Sequence, residues 1–399
     1  MLTYKTAGES HGKGLLALVD GFPAGLNIDT AVIDRELQRR QGGYGRGGRQ
    51  ALETDTVEIL TGVQGTLTLG SPIALWVKNR DYRLPGLGDL ESPRPGHGDL
   101  SGSRKFLSSM RAILERASAR ETAARTAAGG LARQLLSALG IHVFGFVRSI
   151  GTANFEVLPE AERLFEALNA TENPAEQTEL LAKLQQLRDG NTLFALCSAE
   201  DEAAGKELID AAKRDGDTLG GVMEVRAVGL PFGLGTHAEW SQKLDGRLAQ
   251  AVMAVQAIKG VEIGLGFETA RLPGSLVHDP IGYDATKAET RSLGFTRPTN
   301  RAGGLEAGMT NAQPLVLRAA MKPIATLRKA LPSVNAKTHE PVEASFERSD
   351  TCAVSAASVV LEAVVAFELA AAVVEKFGSD SLEEIKARWT LFQKLAREL

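Results

Sequence analysis

Two histidines stand in turns of small residues, Gly8-Glu9-Ser10-His11-Gly12 and Arg94-Pro95-Gly96-His97-Gly98-Asp99. Far downstream, Arg348-Ser349-Asp350 runs into Thr351-Cys352-Ala353-Val354. Imidazole titrates near neutrality, so each turn is suited to giving or taking a proton, and the neighbouring glycines let ring and backbone approach a ligand closely. Together the three stretches read as one acid–base site, with His11, His97 and Asp350 as its candidate catalytic groups and Ser10 as a hydroxyl beside the first.

The stretch Arg39-Arg40-Gln41-Gly42-Gly43-Tyr44-Gly45-Arg46-Gly47-Gly48-Arg49 puts four guanidinium groups into eleven residues. Such groups repel one another unless they are solvated or gathered on an anion, and the glycines let the loop fold around a phosphate or carboxylate. Its formal Gly-x-Gly-x-x-Gly, residues 43–48, follows a helical run where a dinucleotide fingerprint must follow a strand. Further along, Arg116 and Arg120 share a helix face with Ser118 between them, which makes Arg116 and Ser118 pocket candidates in a segment otherwise rich in alanine. The glycine-rich residues 299–311 read as a long loop suited to backbone donation to a ligand, and Met321-Lys322-Pro323-Ile324-Ala325-Thr326 adds a cation and a hydroxyl.

Two other chemistries fit parts of this pattern. Residues 8–12 match Gly-x-Ser-x-Gly, the nucleophile elbow of a serine hydrolase, with Ser10 as nucleophile. That elbow needs a strand–turn–helix and an oxyanion donor from an earlier loop, and too few residues precede it here. Residues 39–49 also resemble an Arg-Gly-Gly RNA-binding segment, against which stand the net charge of −4 and the aromatic content of 5%.

The elements that must position these groups mix strands and helices without regular βαβ alternation, which predicts an α+β fold. Residues 15–19, 56–60 and 73–77 read as strands, and residues 29–41 as a helix capped by Asp29 or Thr30 and ended by Gly42. Residues 107–139 read as one long alanine-rich helix stopped by Gly140, with a face open to close packing. Residues 155–190 read as a helical surface insertion, residues 219–228 and 261–267 as strands, and residues 241–259 as an amphipathic helix. The apolar residues 352–374 carry Glu362 and Glu368 and suit a buried core helix better than a bilayer span.

At 399 residues, 43% hydrophobic and 24% charged, the chain is expected to be a single globular domain bearing that insertion. Cys197 and Cys352, alone and far apart, fit a reducing cytosol and predict neither a disulfide framework nor a structural metal. The N-terminal residues lack a basic stretch with an apolar core, so a cytoplasmic protein is expected, with no membrane or nucleic-acid partner.

With these pieces in place, the chain resembles the chorismate synthase family over nearly its whole length. The resemblance is carried by residues 8–12, 43–49, 94–99, 116–125, 256–264, 297–311, 322–326 and 348–354, in that order. It implies a β-α-β sandwich with helices between antiparallel sheets, usually a homotetramer. It also implies a 1,4-anti elimination of phosphate from 5-enolpyruvylshikimate 3-phosphate with reduced FMN, the last step of the shikimate pathway. By the resemblance, His11 is the general acid toward the departing phosphate, His97 protonates or hydrogen-bonds the reduced flavin, and Asp350 assists removal of the C6 proton. Ser10 and Ser118 would be pocket hydroxyls, and Arg40, Arg46, Arg49, Arg116 and Arg348 would bind substrate. Arg40 and Arg46 are also implied NADP contacts, NADPH being a possible reductant. Flavin contacts would come from Arg116, Ala117, Ser118, Gln256, Ala257, Ala307, Lys322, Pro323, Ile324, Ala325, Thr326 and Arg348. Gly98 stands where the family pattern has alanine and Ser355 where it has proline; Ala307 and Ala312 stand where glycine is common, which questions the backbone there.

Overall fold

The computed structural model describes residues 1–47, 54–347 and 349–399. In chain order its first half comprises β1 (Thr3–Gly8), β2 (Gly14–Asp20), α1 (Thr30–Gln41), β3 (Val57–Thr61), β4 (Val63–Gln64), β5 (Leu67–Thr68), β6 (Ile73–Lys78), α2 (Asp99–Phe106), α3 (Met110–Ala117), α4 (Thr122–Ser137), β7 (His142–Ile150), β8 (Ala153–Asn154), α5 (Pro159–Ala170) and α6 (Pro174–Asp189). There follow α7 (Ala199–Asp215), β9 (Gly221–Val228), β10 (Phe232–Gly235), α8 (Leu244–Met253), β11 (Ile258–Ile263), β12 (Gly282–Tyr283), β13 (Phe295–Thr296), β14 (Leu305–Glu306), β15 (Met309–Asn311), β16 (Leu315–Met321), β17 (Pro332–Val334), β18 (Pro341–Glu343), α9 (Val354–Phe377) and α10 (Leu382–Arg397).

Strand patterning explains the two main sheets. In β2, Leu15, Ala17 and Val19 are fully buried while Leu18 is exposed, the period of two that turns one strand face to a core. β2 joins an antiparallel sheet of order β1-β2-β6-β3, and a second antiparallel sheet has the order β11-β16-β9-β7-β8. Helix α4 packs on the first sheet, α9 on β7 and β9 of the second, and α1, α4 and α9 on one another, giving the expected sandwich of helices between antiparallel sheets. The small residues of α4 let it approach α9 closely: a Cβ on Gly129 would sit 2.4 Å from that of Ala363. Helix α9 is a core helix, its apolar stretch 94% buried. Its Glu362, fully buried, is held by Arg133 at 2.6 Å and by Arg39 and Arg188 at 3.2 Å.

Helix α1 keeps the caps read from sequence: Asp29 accepts from the Ala31 amide, and the Gly42 amide closes onto Gln38 and Arg39. Residues 107–139 are not one helix. Ser118 is extended (φ −61°, ψ 140°) and its side chain accepts from the Arg120 amide, so the chain stops after α3 and restarts at α4. The serine caps the 3-10 turn Ala119–Glu121 that leads into α4, a local bond that competes with continued helix despite the alanines around it. Helix α4 ends at Ser137, three residues before Gly140. Strand β11 starts before the expected 261–267 and stops at Ile263, because Gly264 and Gly266, both at positive φ, turn the chain into a 3-10 helix over Gly266–Arg271. Helix α8 is shorter than the expected 241–259. Residues 299–311, expected as a loop, contain the β14–β15 hairpin. Residues 155–190 form α5 and α6, whose Phe165, Leu168 and Leu184 pack on Phe144 and Phe146 of β7.

Candidate active site

His11 lies in the turn between β1 and β2 and is clamped by Glu115 of α3, 104 residues away. The His11 amide donates to Glu115 Oε2 at 2.8 Å, its Nδ1 lies 2.9 Å from Oε1, and the Ser10 amide donates to the Glu115 carbonyl at 2.8 Å. Nε2 faces Arg83 Nη2 at 3.3 Å and Asp81 at 3.8 Å. Both His11 and Glu115 are buried. Burial alone would raise the Glu115 carboxyl, but the bonds from the His11 ring and amide outweigh it and hold the group below its ordinary value.

His97 precedes α2 and is partnered within its own turn. Its Nδ1 lies 2.6 Å from Asp99 Oδ1, and Asp99 also accepts from the Arg94 amide, Nε and Nη2 at 3.1, 2.8 and 2.9 Å. Against the opposing pull of complete burial, the bonds from Arg94 and His97 keep the Asp99 carboxyl well below the usual range. Arg94 Nη1 reaches Thr326 at 2.9 Å, and Lys322 Nζ donates to the Gly96 carbonyl at 2.6 Å. Burial and the nearby Lys259 lower Lys322 from its ordinary value. On its other side the turn meets Ala117: a Cβ on Gly98 would lie 4.0 Å from that of Ala117.

The arginine loop links the remaining groups. Arg46 pairs with Asp350 at 2.5 Å, the Gly47 amide donates to the same carboxylate at 2.6 Å, and Ser349 Oγ donates to the Thr326 carbonyl at 3.2 Å. Arg46 also donates to the Arg40 carbonyl at 3.5 Å, and Arg40 pairs with the fully buried Asp55 at 2.8 Å. Asp55 takes two bonds from Arg120, at 2.6 and 2.8 Å. Arg120 Nε donates to Asn79, whose amide caps the carbonyls of Glu9, Ser10 and Gly12 beneath His11. Beside Arg120, Glu121 accepts from Gln256, and the Ala257 carbonyl accepts from the Lys322 amide. These bonds, joined along the chain at residues 349–350, 120–121 and 256–257, form a circuit from His97 through Thr326, Asp350, Arg46, Asp55, Arg120, Gln256 and Lys322 back to Gly96, with His11 attached through Asn79.

The circuit holds most of the residues expected from sequence: Ser10, His11, Arg40, Arg46, His97, Asp350, Gln256, Ala257, Lys322 and Thr326, with Ala117, Ser118 and Pro323, Ile324 and Ala325 in its connecting segments. Arg116 sits at its edge, donating to the carbonyls of Gly8 and Thr6. Ala307 is not brought in. It turns the β14–β15 hairpin, where Gly308 accepts from Leu244 at the start of α8. Ala307 and Ala312 adopt the left-handed backbone themselves, at φ 51° and 63°, so the geometry expected of glycine is kept at a cost of about 1 kcal/mol each. Arg49 and Arg348 lie outside the described residues.

An anionic ligand fits this lining on two counts. Arg40 Nε and Arg46 Nε are buried donors without a hydrogen-bond partner among the described residues, and buried polar atoms seldom stay so. Burial also depresses Arg40 to about 10 despite Asp55, with Arg120 and Arg46 adding repulsion that an anion would relieve. Sequence reasoning passed over Asp55, Asn79, Arg83, Arg94, Asp99, Glu115 and Arg120 as site residues. Arg94 and Asp99 were within reach, lying inside the histidine motif, whereas nothing local ties Glu115 or Asp55 to their partners.

The same geometry removes the two rival chemistries. Gly8-Glu9-Ser10-His11-Gly12 leads into strand β2, so the helix that a nucleophile elbow requires is absent. Arg40 and Arg46 turn inward onto Asp55 and Asp350, unlike a solvated RNA-binding segment.

A family model described as chorismate synthase matches residues 2–374. The chorismate synthase of Desulforamulus reducens is 52% identical, with 100% of both chains covered, and that of Geobacter sulfurreducens is 48% identical with the same coverage. A crystal structure of chorismate synthase covers 100% of this chain and 99% of its own, with a TM-score of 0.77 and 41% identity. Sequence and fold similarity thus extend over nearly the whole length, and the chain belongs to the chorismate synthase family.

Proposed function

We propose that this chain forms chorismate from 5-enolpyruvylshikimate 3-phosphate by 1,4-anti elimination of phosphate, with reduced FMN as cofactor, as the last step of the shikimate pathway that feeds aromatic amino-acid biosynthesis. The observation that carries the reading is the hydrogen-bonded circuit that joins two histidines, Asp350 and inward-turned arginines around unpartnered buried donors.

Reduced flavin, when bound, supplies transient electron density to a reaction that ends with no net change of oxidation state. Arg116, Ala117, Ser118, Gln256, Ala257, Lys322, Pro323, Ile324, Ala325 and Thr326 would hold it, with Arg348 and Ala307 as further candidates. Arg40, Arg46, Arg49, Arg116 and Arg348 bind the phosphate and carboxylates of the substrate, with Ser10 and Ser118 as pocket hydroxyls. His11 donates a proton to the departing phosphate from Nε2. His97 presents an N–H to the reduced cofactor, its ring held by Asp99. Asp350, held by Arg46 and the Gly47 amide, supports removal of the C6 proton in this reading. NADPH, at Arg40 and Arg46, is the reductant in this reading. The protein acts as a cytoplasmic homotetramer.

The test is anaerobic incubation with dithionite-reduced FMN and 5-enolpyruvylshikimate 3-phosphate. Phosphate and chorismate are expected together in equal amounts and only with the reduced cofactor. Phosphate release without chorismate, or turnover with no flavin present, contradicts the reading.

A further inference from the structure

The His11 ring has its two nitrogens in unlike surroundings. On the Nδ1 side stands the Glu115 carboxylate, which can only accept a hydrogen bond, and its bonds to the His11 ring and amide favour the ionised form. On the Nε2 side stands the Arg83 guanidinium, which can only donate, at 3.3 Å. The carboxylate calls for a proton on Nδ1 whether the ring is neutral or an imidazolium, and in the neutral ring the Arg83 donor then faces the lone pair on Nε2.

Glu115 is built to hold that arrangement. Its side chain is 1% exposed, its second oxygen takes the His11 amide, and its carbonyl takes the Ser10 amide, so the end of α3 grips the turn at three points. Other charged groups stand around the pair: Arg111 on the same helix, 3.8 Å from Glu115 and itself paired to Glu347; Asp81, 3.8 Å from Nε2 and paired to Arg83; and Glu9 in the turn.

We propose that Glu115 is the positioning residue for His11, fixing the ring orientation and the Nδ1–H tautomer so that Nε2 is the nitrogen that carries and delivers the catalytic proton. The proposal deepens the general-acid reading of His11 and rests on it for its kinetic consequence. In the transfer, the Nε2–H bond of the imidazolium breaks and an O–H bond forms on the departing phosphate. The ring is left neutral with its remaining proton on Nδ1, still hydrogen-bonded to Glu115. The carboxylate balances the charge of the imidazolium before the transfer and itself takes no proton.

The direct test is solid-state NMR of protein labelled with 15N in its six histidines, with the His11 signals assigned by their loss in His11→Asn, at a pH where the ring is neutral. The wild-type ring is expected as the Nδ1–H tautomer, opposite to the usual preference of imidazole in water. In Glu115→Gln the ring is expected to shift toward Nε2–H, with kcat falling at least about tenfold, KM within about twofold, and the alkaline limb of the kcat profile moving to lower pH. Glu115→Asp should recover part of the tautomer preference and of kcat. A wild-type ring found as Nε2–H overturns the proposal without recourse to any variant, as does Glu115→Gln with unchanged tautomer and rate. The acid role and the positioning role fail separately. If His11→Asn turns over normally while the wild-type tautomer is as stated, the general-acid reading falls and the placement by Glu115 stands.

Discussion

The two histidine turns solve one problem by different means. The His97 turn carries its own carboxylate two residues on, and Asp99 is locked in turn by Arg94 of the same motif, so ring, counter-charge and clamp come from six consecutive residues. The His11 ring instead takes its carboxylate from α3, 104 residues away, with Asn79 bracing the turn from below. The first histidine is 21% exposed at its side chain and the second 8%. A self-contained turn can hold a ring that stays partly open, whereas a more deeply buried ring is held by a rigid element pressed against it.

Breaking each clamp should expose the difference. Asp99→Asn strands the Arg94 guanidinium, 7% exposed, without its counter-charge, and the loss is expected at about 3–5 kcal/mol in urea unfolding. The Asp99 carboxyl sits below its unfolded value of about 3.9, so its contribution is full above that pH and is lost as pH falls toward the folded value. Below about pH 4 the wild type should therefore lose stability more steeply than Asp99→Asn. Equal slopes would mean that the Asp99 clamp is not the acid-sensitive element.

The glycines sharpen the contrast with smaller effects. Gly8, at the His11 turn, has φ +106°, and a Cβ there would sit 2.3 Å from the Gly14 carbonyl oxygen, so Gly8→Ala is expected to cost at least about 2 kcal/mol. Gly98, at the other turn, has φ −79° and only Ala117 within reach of a Cβ, so Gly98→Ala is expected to stay within about 0.5 kcal/mol of wild type. Thermal unfolding of both variants checks this; a reversed order would mean that the His11 turn is the slacker of the two.

The same contrast explains what the residues disclose before folding. Local chemistry is readable: the Asp29 and Gly42 caps of α1, the alternation in β2 and β6, and the buried α9 each follow from neighbours within a few positions. The break at Ser118 is not, because alanines on both sides favour helix and the serine signal is one residue long. Strands of two or three residues such as β14 and β15 give no periodicity to detect. Within the site, His97, Arg94 and Asp99 fall in one motif. Glu115 is hidden in the sequence because a glutamate on a helix beside arginines reads as surface, and only the folded chain turns it toward His11. Asp55 is concealed likewise, its meaning given by Arg40 and Arg120 from two helical segments.

The central claim is that His11, His97 and Asp350 serve one reacting centre. Single-turnover chorismate formation with saturating substrate and reduced FMN tests it in His11→Ala, His97→Ala and Asp350→Asn. Each variant is expected to bind substrate within a few-fold of wild type yet to form chorismate about 100-fold or more slowly. A near-native rate in any one of them would contradict the claim for that residue, and near-native rates in all three would overturn it.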